Sequence, residues 1–111
     1  MGFDVLAGQL LTYWRVESAA VPNDLKAFVH LLDAQGEIAA QHDGWDAVPA
    51  TLQIGDIIIQ RHLLDTAAVP PPLTFRLGLY QFHTNQRLLT NTGAEWLIVE
   101  TSDKGLETND Q

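Results

Sequence analysis

A strict alternation of side-chain types over residues 73–80 constrains the fold of this chain more than any other feature. The odd positions are all apolar: Leu73, Phe75, Leu77 and Leu79. The even positions are Thr74, Arg76, Gly78 and Tyr80. Successive strand residues point to opposite faces of a sheet, so a period of two predicts a strand with one face buried and the other exposed to solvent.

The segment FVHLLDAQGEIAAQHDGW, at 28–45, predicts a β-hairpin. Two strand-like runs flank Asp33–Gly36, where Gly36 can adopt the positive φ of a tight turn. Segments rich in Pro, Gly and Asn separate further strand-like runs, which cover 9–16, 57–64, 88–90 and 96–101. Seven to eight short strands without a helical period predict an all-β fold, an antiparallel β-sandwich of immunoglobulin-like or jelly-roll-like type.

The 111 residues suit a single domain, and we place this domain at 1–101. The last ten residues, SDKGLETNDQ, are polar and nonperiodic, and we expect a flexible acidic tail at 102–111. The formal net charge of −8 would repel phosphate backbones, so we expect no nucleic-acid partner. The absence of cysteine excludes disulfides and thiolate chemistry.

The sequence offers no recognisable catalytic set. Its two serines, Ser18 and Ser102, do not lie in a GxSxG context, and no glycine-rich phosphate loop is present. Its 14 acidic residues are scattered over predicted loops and are best explained as solvating groups. We therefore expect a protein without enzymatic activity and without a cofactor.

Three histidines and one aspartate form a candidate metal site, because imidazole and carboxylate suit zinc or similar ions. The residues are His30, His42, Asp43 and His62, and none has local ligand spacing such as HxH. The favoured alternative places His30 and His62 as hydrogen-bonded sheet residues and His83 in a turn. Asp33–Gly36 and Asp43–Gly44 could offer oxygens to calcium, but turn chemistry is the favoured explanation of both.

A second candidate site would bind a glycan, with an aromatic ring stacked on a sugar and polar side chains bonded to hydroxyls. Its residues are Gln41, His42, Asp43, Trp45, Arg61 and Tyr80. Trp14 and Trp96 are expected to pack in the core or at a sheet edge. Trp45 is the exception, because it lies in a predicted loop with Asp43 and Asp46, where a core role is less secure and the ring could be exposed.

Several short motifs, in this order, give the chain a resemblance to a known family: YWR at 13–15, FVHLLDAQG at 28–36, AQHDG at 40–44, IGD at 54–56, RH at 61–62 and GLY at 78–80. The segment from Leu10 to Leu88 resembles the extracytoplasmic β-sandwich domain of bacterial multi-pass membrane glycosyltransferases, the dolichyl-phosphate-mannose–protein mannosyltransferase-like proteins. The chain departs from that family at Leu52, at Pro70–Leu73 and at 83–86.

The resemblance implies a noncatalytic accessory domain on the extracytoplasmic side of a bacterial membrane. The transferase chemistry would belong to the membrane part of the parent protein, and this domain would bind carbohydrate weakly or position the substrate. Its partners would be a glycan or that membrane part. The alternative is a structural or protein-interaction domain without a small ligand, and a metal-dependent hydrolase is the least favoured function.

Overall fold

The computed structural model describes residues 2–18, 20–90 and 92–101. Its strands are β1 (Gly2–Leu6), β2 (Gln9–Arg15), β3 (Leu25–Leu32), β4 (Ile38–Gly44), β5 (Ile57–Leu63), β6 (Thr74–Gln81), β7 (Gln86–Leu88) and β8 (Leu97–Glu100). One turn of 3-10 helix, Pro49–Thr51, lies in the loop between β4 and β5. The predicted tail at 102–111 lies outside the described residues.

The strands form two antiparallel sheets, which confirms the predicted β-sandwich. One sheet has three strands in the order β1-β2-β5. The other has five strands and runs β4-β3-β6, with both β7 and β8 paired to the far side of β6. β8 pairs with Thr74–Leu77, whereas β7 pairs with Leu79–Gln81. The edge of the five-stranded sheet is therefore divided between two short strands, with a break opposite Gly78.

The hairpin predicted at 28–45 is formed by β3 and β4. Asp33 Oδ1 accepts hydrogen bonds from the backbone N–H groups of Gln35 and Glu37, each at 2.9 Å. Gly36 has a φ of 78°, a conformation that glycine adopts without the steric cost that a side chain would incur. The turn interpretation of Asp33–Gly36 is thus confirmed.

The turn interpretation of Asp43–Gly44 is wrong, because both residues belong to β4. Asp43 pairs with Phe28 and Gly44 pairs with Ala27 along the β3–β4 ladder. The long apolar strand β3 supplies backbone partners to the end of β4, so its polar residues extend the sheet instead of closing a turn. This extension decides which side chains of β4 face solvent.

A core that is aliphatic except for Phe75 fills one end of the space between the sheets, and we call it the aliphatic core. Its buried residues are Val5, Leu10, Val29, Leu31, Leu64, Leu73, Phe75 and Leu77. They come from the second half of β3 and from the start of β6 with the residue before it on one side, and from the β1–β2 hairpin and the residue that follows β5 on the other. The alternation at 73–80 therefore predicts correctly which face of β6 is buried.

Candidate functional site

The structure does not bring the six predicted glycan-binding residues together. The outer face of the five-stranded sheet carries Gln41, Asp43 and Tyr80. His42 lies between the sheets, because it follows Gln41 and points to the opposite face of β4. Arg61 is exposed on the outer face of the three-stranded sheet. Trp45 is half-buried and lies against Trp14, with ring centroids 6.4 Å apart.

An open pocket of about 190 Å³ lies on the outer face of the five-stranded sheet, and we call it the outer-face pocket. It is lined by Phe28, His30, Asp43, Tyr80, Asn85 and Arg87. The strand register explains the grouping, because Phe28 pairs with Asp43 on one side while Tyr80 pairs with Arg87. Asn85 joins them from the turn between β6 and β7, where its φ is 58°.

A hydrogen bond between Tyr80 and Asp43 closes one wall of the outer-face pocket. The Tyr80 hydroxyl donates to Asp43 Oδ2 at 2.8 Å, although the two residues come from β6 and β4, the strands on either side of β3. Burial and this bond to Asp43 raise the pKa of Tyr80 to about 12. Tyr80 therefore stays protonated at neutral pH, and it holds the carboxyl group of Asp43 in one orientation.

Phe28 forms the floor of the outer-face pocket. Its ring lies over Gly78, where an added Cβ atom would come within 2.4 Å of two ring carbons. The guanidinium carbon of Arg87 sits 4.7 Å from the centre of the Phe28 ring and 5.5 Å from that of Trp96. Such cation–π contacts favour the guanidinium over the ring faces, so Arg87 is positioned beside Asp43 and Tyr80 rather than free in solvent.

His30 contributes an uncharged imidazole to the same pocket. Its Nδ1 accepts a hydrogen bond from Arg76 Nε at 3.3 Å, and Arg76 in turn lies over the ring of Trp96. Burial, followed by the nearby Arg76 charge, lowers the pKa of His30 below its usual value of 6.5. At neutral pH the outer-face pocket thus combines a neutral histidine and a neutral tyrosine with one arginine and one aspartate.

The chemistry of these groups suits the recognition of a polar, uncharged ligand with several hydroxyls. Asp43 can accept hydrogen bonds, Arg87 can donate them, and Asn85 can do both. Arg87 has one weak ion pair, 3.8 Å to Glu95, which is exposed enough to contribute little. Because 190 Å³ is smaller than the roughly 300 Å³ lower bound of pockets for drug-sized ligands, the space fits one small ring.

Two other predicted residues, His42 and His62, form a pair that joins the sheets. Their Nδ1 atoms are 2.9 Å apart, and their rings meet edge to face. His62 is completely buried, and its Nε2 lies 3.4 Å from the Thr12 hydroxyl. Burial, with a smaller contribution from His42, lowers the pKa of His62 to about 4. A proton on one Nδ1 atom and a lone pair on the other satisfy this geometry, so the pair is a structural hydrogen bond between β4 and β5.

A buried polar layer surrounds this histidine pair. Thr12 and Gln60 are also almost completely buried, and the backbone N–H of Asp46 donates to Gln60 Oε1 at 2.7 Å. Trp14 Nε1 donates to the Thr12 hydroxyl at 2.8 Å. Buried polar groups are tolerated where they have hydrogen-bond partners, and the groups of this layer have such partners. The layer thus links β2, β4, β5 and the segment that follows β4.

The four residues of the predicted metal site lie in two places. His42 and His62 face each other between the sheets, whereas His30 and Asp43 lie on the outer face of the five-stranded sheet. Within residues 2–18, 20–90 and 92–101, no group of three or more His, Asp or Glu side chains could hold a metal ion. His30 and His62 are hydrogen-bonded sheet residues and His83 lies in a turn, as the favoured alternative predicts.

Sequence reasoning missed three residues of the outer-face pocket: Phe28, Asn85 and Arg87. Phe28 and Arg87 could have been found from register, because each sits across the ladder from a residue that was predicted, Asp43 or Tyr80. No sequence pattern points to Asn85, whose position depends on the shape of the turn at 82–85. Local spacing identifies faces of strands, whereas the pocket depends on strand order.

The comparisons with known proteins found no relative of this chain. No family model, no curated protein and no solved structure matches this chain. The resemblance to the membrane glycosyltransferase domain therefore stays a prediction. In the described part of the chain, no helix combines the length and the apolar character needed to cross a membrane.

Proposed function

We propose that this chain is a noncatalytic accessory domain that binds one neutral sugar unit of a glycan in the outer-face pocket. The hydrogen-bonded pair of Tyr80 and Asp43 above the Phe28 floor carries this proposal. It fixes an acceptor above an aromatic floor that is 3% exposed and lies beneath Arg87, and sugar sites commonly combine fixed polar groups with an aromatic ring. Arg87 and Asn85 add donors at the opposite wall.

The context of this binding follows from the resemblance to the membrane glycosyltransferase domains. In that context the domain lies on the extracytoplasmic side of a bacterial membrane and presents glycan to the membrane part of its parent protein. Binding is weak, with a dissociation constant on the order of 1 mM, because a small open pocket excludes little water. Weak binding suits a module that releases its ligand after each transfer.

The test is an NMR titration of the domain with hexoses, N-acetylhexosamines and hexuronic acids. We expect saturable amide shifts confined to the pocket residues of β3, β4, β6 and β7. Asp43→Ala should abolish them, while Glu37→Ala, an exposed acid-to-alanine change outside the pocket, should leave them unchanged. Shifts that are absent, that are spread over the whole surface, or that survive Asp43→Ala would contradict the proposal.

A row of exposed aliphatic residues favours a second candidate function, protein interaction. Ile57, Ile59 and Leu63 are 57%, 61% and 62% exposed on the outer face of the three-stranded sheet. They lie on β5, an edge strand whose free backbone groups can pair with another strand. The partner would be the membrane part of the parent protein.

A photo-crosslinking residue at position 59 of the full parent protein would test this second function. Cross-links from position 59 to the membrane part, without cross-links from the exposed control position 35 in the β3–β4 turn, would support it. Equal cross-linking at both positions, or none at position 59, would rule it out.

A further inference from the structure

A second open pocket lies beside the outer-face pocket, and we call it the Phe82 pocket. Its volume is about 560 Å³. Its lining includes Asp24, Lys26, Gln81, Phe82 and His83. The β3–β6 register makes the two pockets neighbours, because Lys26 pairs with Tyr80, which forms a wall of the outer-face pocket. The turn at 82–85 also supplies residues to both pockets.

The two pockets differ in how far a ligand can reach their phenylalanine rings. Phe28, the floor of the outer-face pocket, is 3% exposed and lies beneath Arg87. Phe82 is 56% exposed. Covering an exposed aromatic side chain is favourable, because apolar surface is removed from water and the flat ring offers a large contact area. Phe82 therefore offers a ligand the open ring that Phe28 does not.

Backbone and side-chain contacts hold Phe82 in place. Its N–H donates to the backbone oxygen of Asp24 at 2.9 Å, and the N–H of His83 donates to Asp24 Oδ2, also at 2.9 Å. The His83 ring meets the Phe82 ring edge to face, with centroids 5.7 Å apart. Lys26 Nζ lies 5.7 Å from the centre of the Phe82 ring, within the range of a cation–π contact. The ring is thus positioned before a ligand arrives, which lowers the entropy cost of binding.

Lys26 adds hydrogen-bond donors next to this ring. Its ammonium group has three N–H donors, and no carboxylate within residues 2–18, 20–90 and 92–101 forms an ion pair with it. Asp24 lines the same pocket and offsets the charge of Lys26, while its Oδ2 is bonded to the His83 N–H. The Phe82 pocket thus combines an aromatic ring with polar groups of balanced charge, which suits an uncharged ligand with several hydroxyls.

The spacing of the two pockets fits a chain of sugars. The hydrogen bond from the Phe82 N–H to Asp24 continues the β3–β6 ladder beyond the pair of Leu25 and Gln81. Phe82 therefore lies on the same face as Tyr80 and two residues further along, a distance of about 7 Å. One sugar ring has a comparable length, so adjacent units of one chain can occupy the two pockets.

We infer that the glycan bound by this domain is a chain of at least two units, with one unit in the outer-face pocket and the next stacked on Phe82. This inference rests on the proposed glycan binding and adds a second point of contact to it. The hydroxyls of the second unit accept hydrogen bonds from Lys26, and its C–H face covers the Phe82 ring. Because the two units are linked, the second contact is intramolecular and adds affinity that a single sugar lacks.

An NMR titration tests the inference by comparing the methyl glycosides of glucose, mannose and N-acetylglucosamine with the corresponding α- and β-linked disaccharides. The disaccharide of the preferred sugar should bind roughly three- to tenfold more tightly than its methyl glycoside, the factor expected for one aromatic contact. It should shift the amides of Phe82 and His83 together with those of Asp43 and Tyr80. The methyl glycoside should shift only the amides of the outer-face pocket.

Substitutions at Phe82 separate stacking from a general apolar contact. Phe82→Leu keeps an apolar side chain and removes the ring, so it should remove the gain in affinity of the disaccharide. Phe82→Tyr keeps the ring and should keep the gain. Leu63→Ala, at a residue that is 62% exposed on the three-stranded sheet, is the control and should change neither affinity. A gain that persists in Phe82→Leu would overturn the inference.

The two sets of shifts distinguish a failure of this inference from a failure of the proposed function. Equal affinities of disaccharide and methyl glycoside, with shifts confined to the outer-face pocket, would overturn the inference and leave the binding of a single sugar intact. Disaccharide shifts at Phe82 without shifts at Asp43 and Tyr80 would overturn both, and so would the absence of shifts with every probe.

Discussion

The two faces of the five-stranded sheet use the same kinds of side chain for different purposes. Each face has a buried phenylalanine, Phe75 between the sheets and Phe28 on the outside. Each side also has a histidine of lowered pKa: His62 of the facing three-stranded sheet, and His30 on the outer face. Between the sheets these groups are enclosed by protein on all sides. On the outer face they lie beneath side chains such as Arg87. The inner groups therefore lie in a closed interior, whereas the outer pair lies beneath a single layer of side chains, with Phe28 itself only 3% exposed.

The largest expected difference between the faces concerns the two phenylalanines. Phe75→Ala should lower the free energy of unfolding by about 4 kcal/mol, because it leaves a cavity in the closed aliphatic core. Phe28→Ala should cost only about 2 kcal/mol, since Arg87 and water can fill the space that it leaves. Urea unfolding followed by fluorescence measures both values. Equal losses would mean that the outer face is as enclosed as the core.

The next largest expected effect is a dependence of the free energy of unfolding on pH, which comes from His62. The folded protein keeps His62 neutral with a pKa of about 4, whereas the unfolded chain takes up this proton near pH 6.5. Stability is therefore full above pH 6.5 and falls as the pH decreases towards 4, by about 2 kcal/mol between pH 7 and pH 4.5. His42, Asp43 and Asp46 are the charged or titratable neighbours that modify this shift.

His62→Leu should remove that part of the pH dependence, as measured by urea unfolding at pH 7 and pH 4.5. His30→Gln is the control on the outer face. The pKa of His30 is also lowered, but His30 is more exposed, so its substitution should change the pH dependence less. A larger effect from His30→Gln than from His62→Leu would reverse the comparison between the faces.

The smallest expected effects come from single hydroxyl groups. Thr12→Val should destabilise the domain by about 1.5 kcal/mol, because it deprives buried His62 Nε2 and Trp14 Nε1 of a partner. Tyr80→Phe should cost at most about 0.5 kcal/mol, since water can replace the exposed hydrogen bond to Asp43. The same Tyr80→Phe change should weaken sugar binding. Thermal unfolding measures the loss of stability, and the sugar titration measures the loss of binding. A loss of stability for Tyr80→Phe as large as that for Thr12→Val would contradict this prediction.

The fold was largely predictable from the sequence, because alternation identifies strands and their buried faces without knowledge of their partners. The alternation at 73–80 gave the buried face of β6, and Asp33–Gly36 gave the turn of the hairpin. The polar residues of β4 were misassigned because their strand conformation depends on pairing with β3. Neighbours in the sequence, His42 and Asp43, face opposite sides of one sheet.

The candidate site was only partly predictable, because it depends on strand order. Asp43 and Tyr80 were identified, but no local pattern shows that β3 lies between their strands. The pair of His42 and His62 depends likewise on the two sheets meeting face to face. Contacts between residues that are far apart in sequence are the part of the structure that spacing alone does not encode.

The divided edge of the five-stranded sheet has a consequence for self-association. An incoming strand could pair with at most three residues of β7 or four of β8 before meeting the gap opposite Gly78. Short, interrupted edges are poor templates for strand addition. We therefore expect this side of the domain to resist the addition of a strand from a second copy.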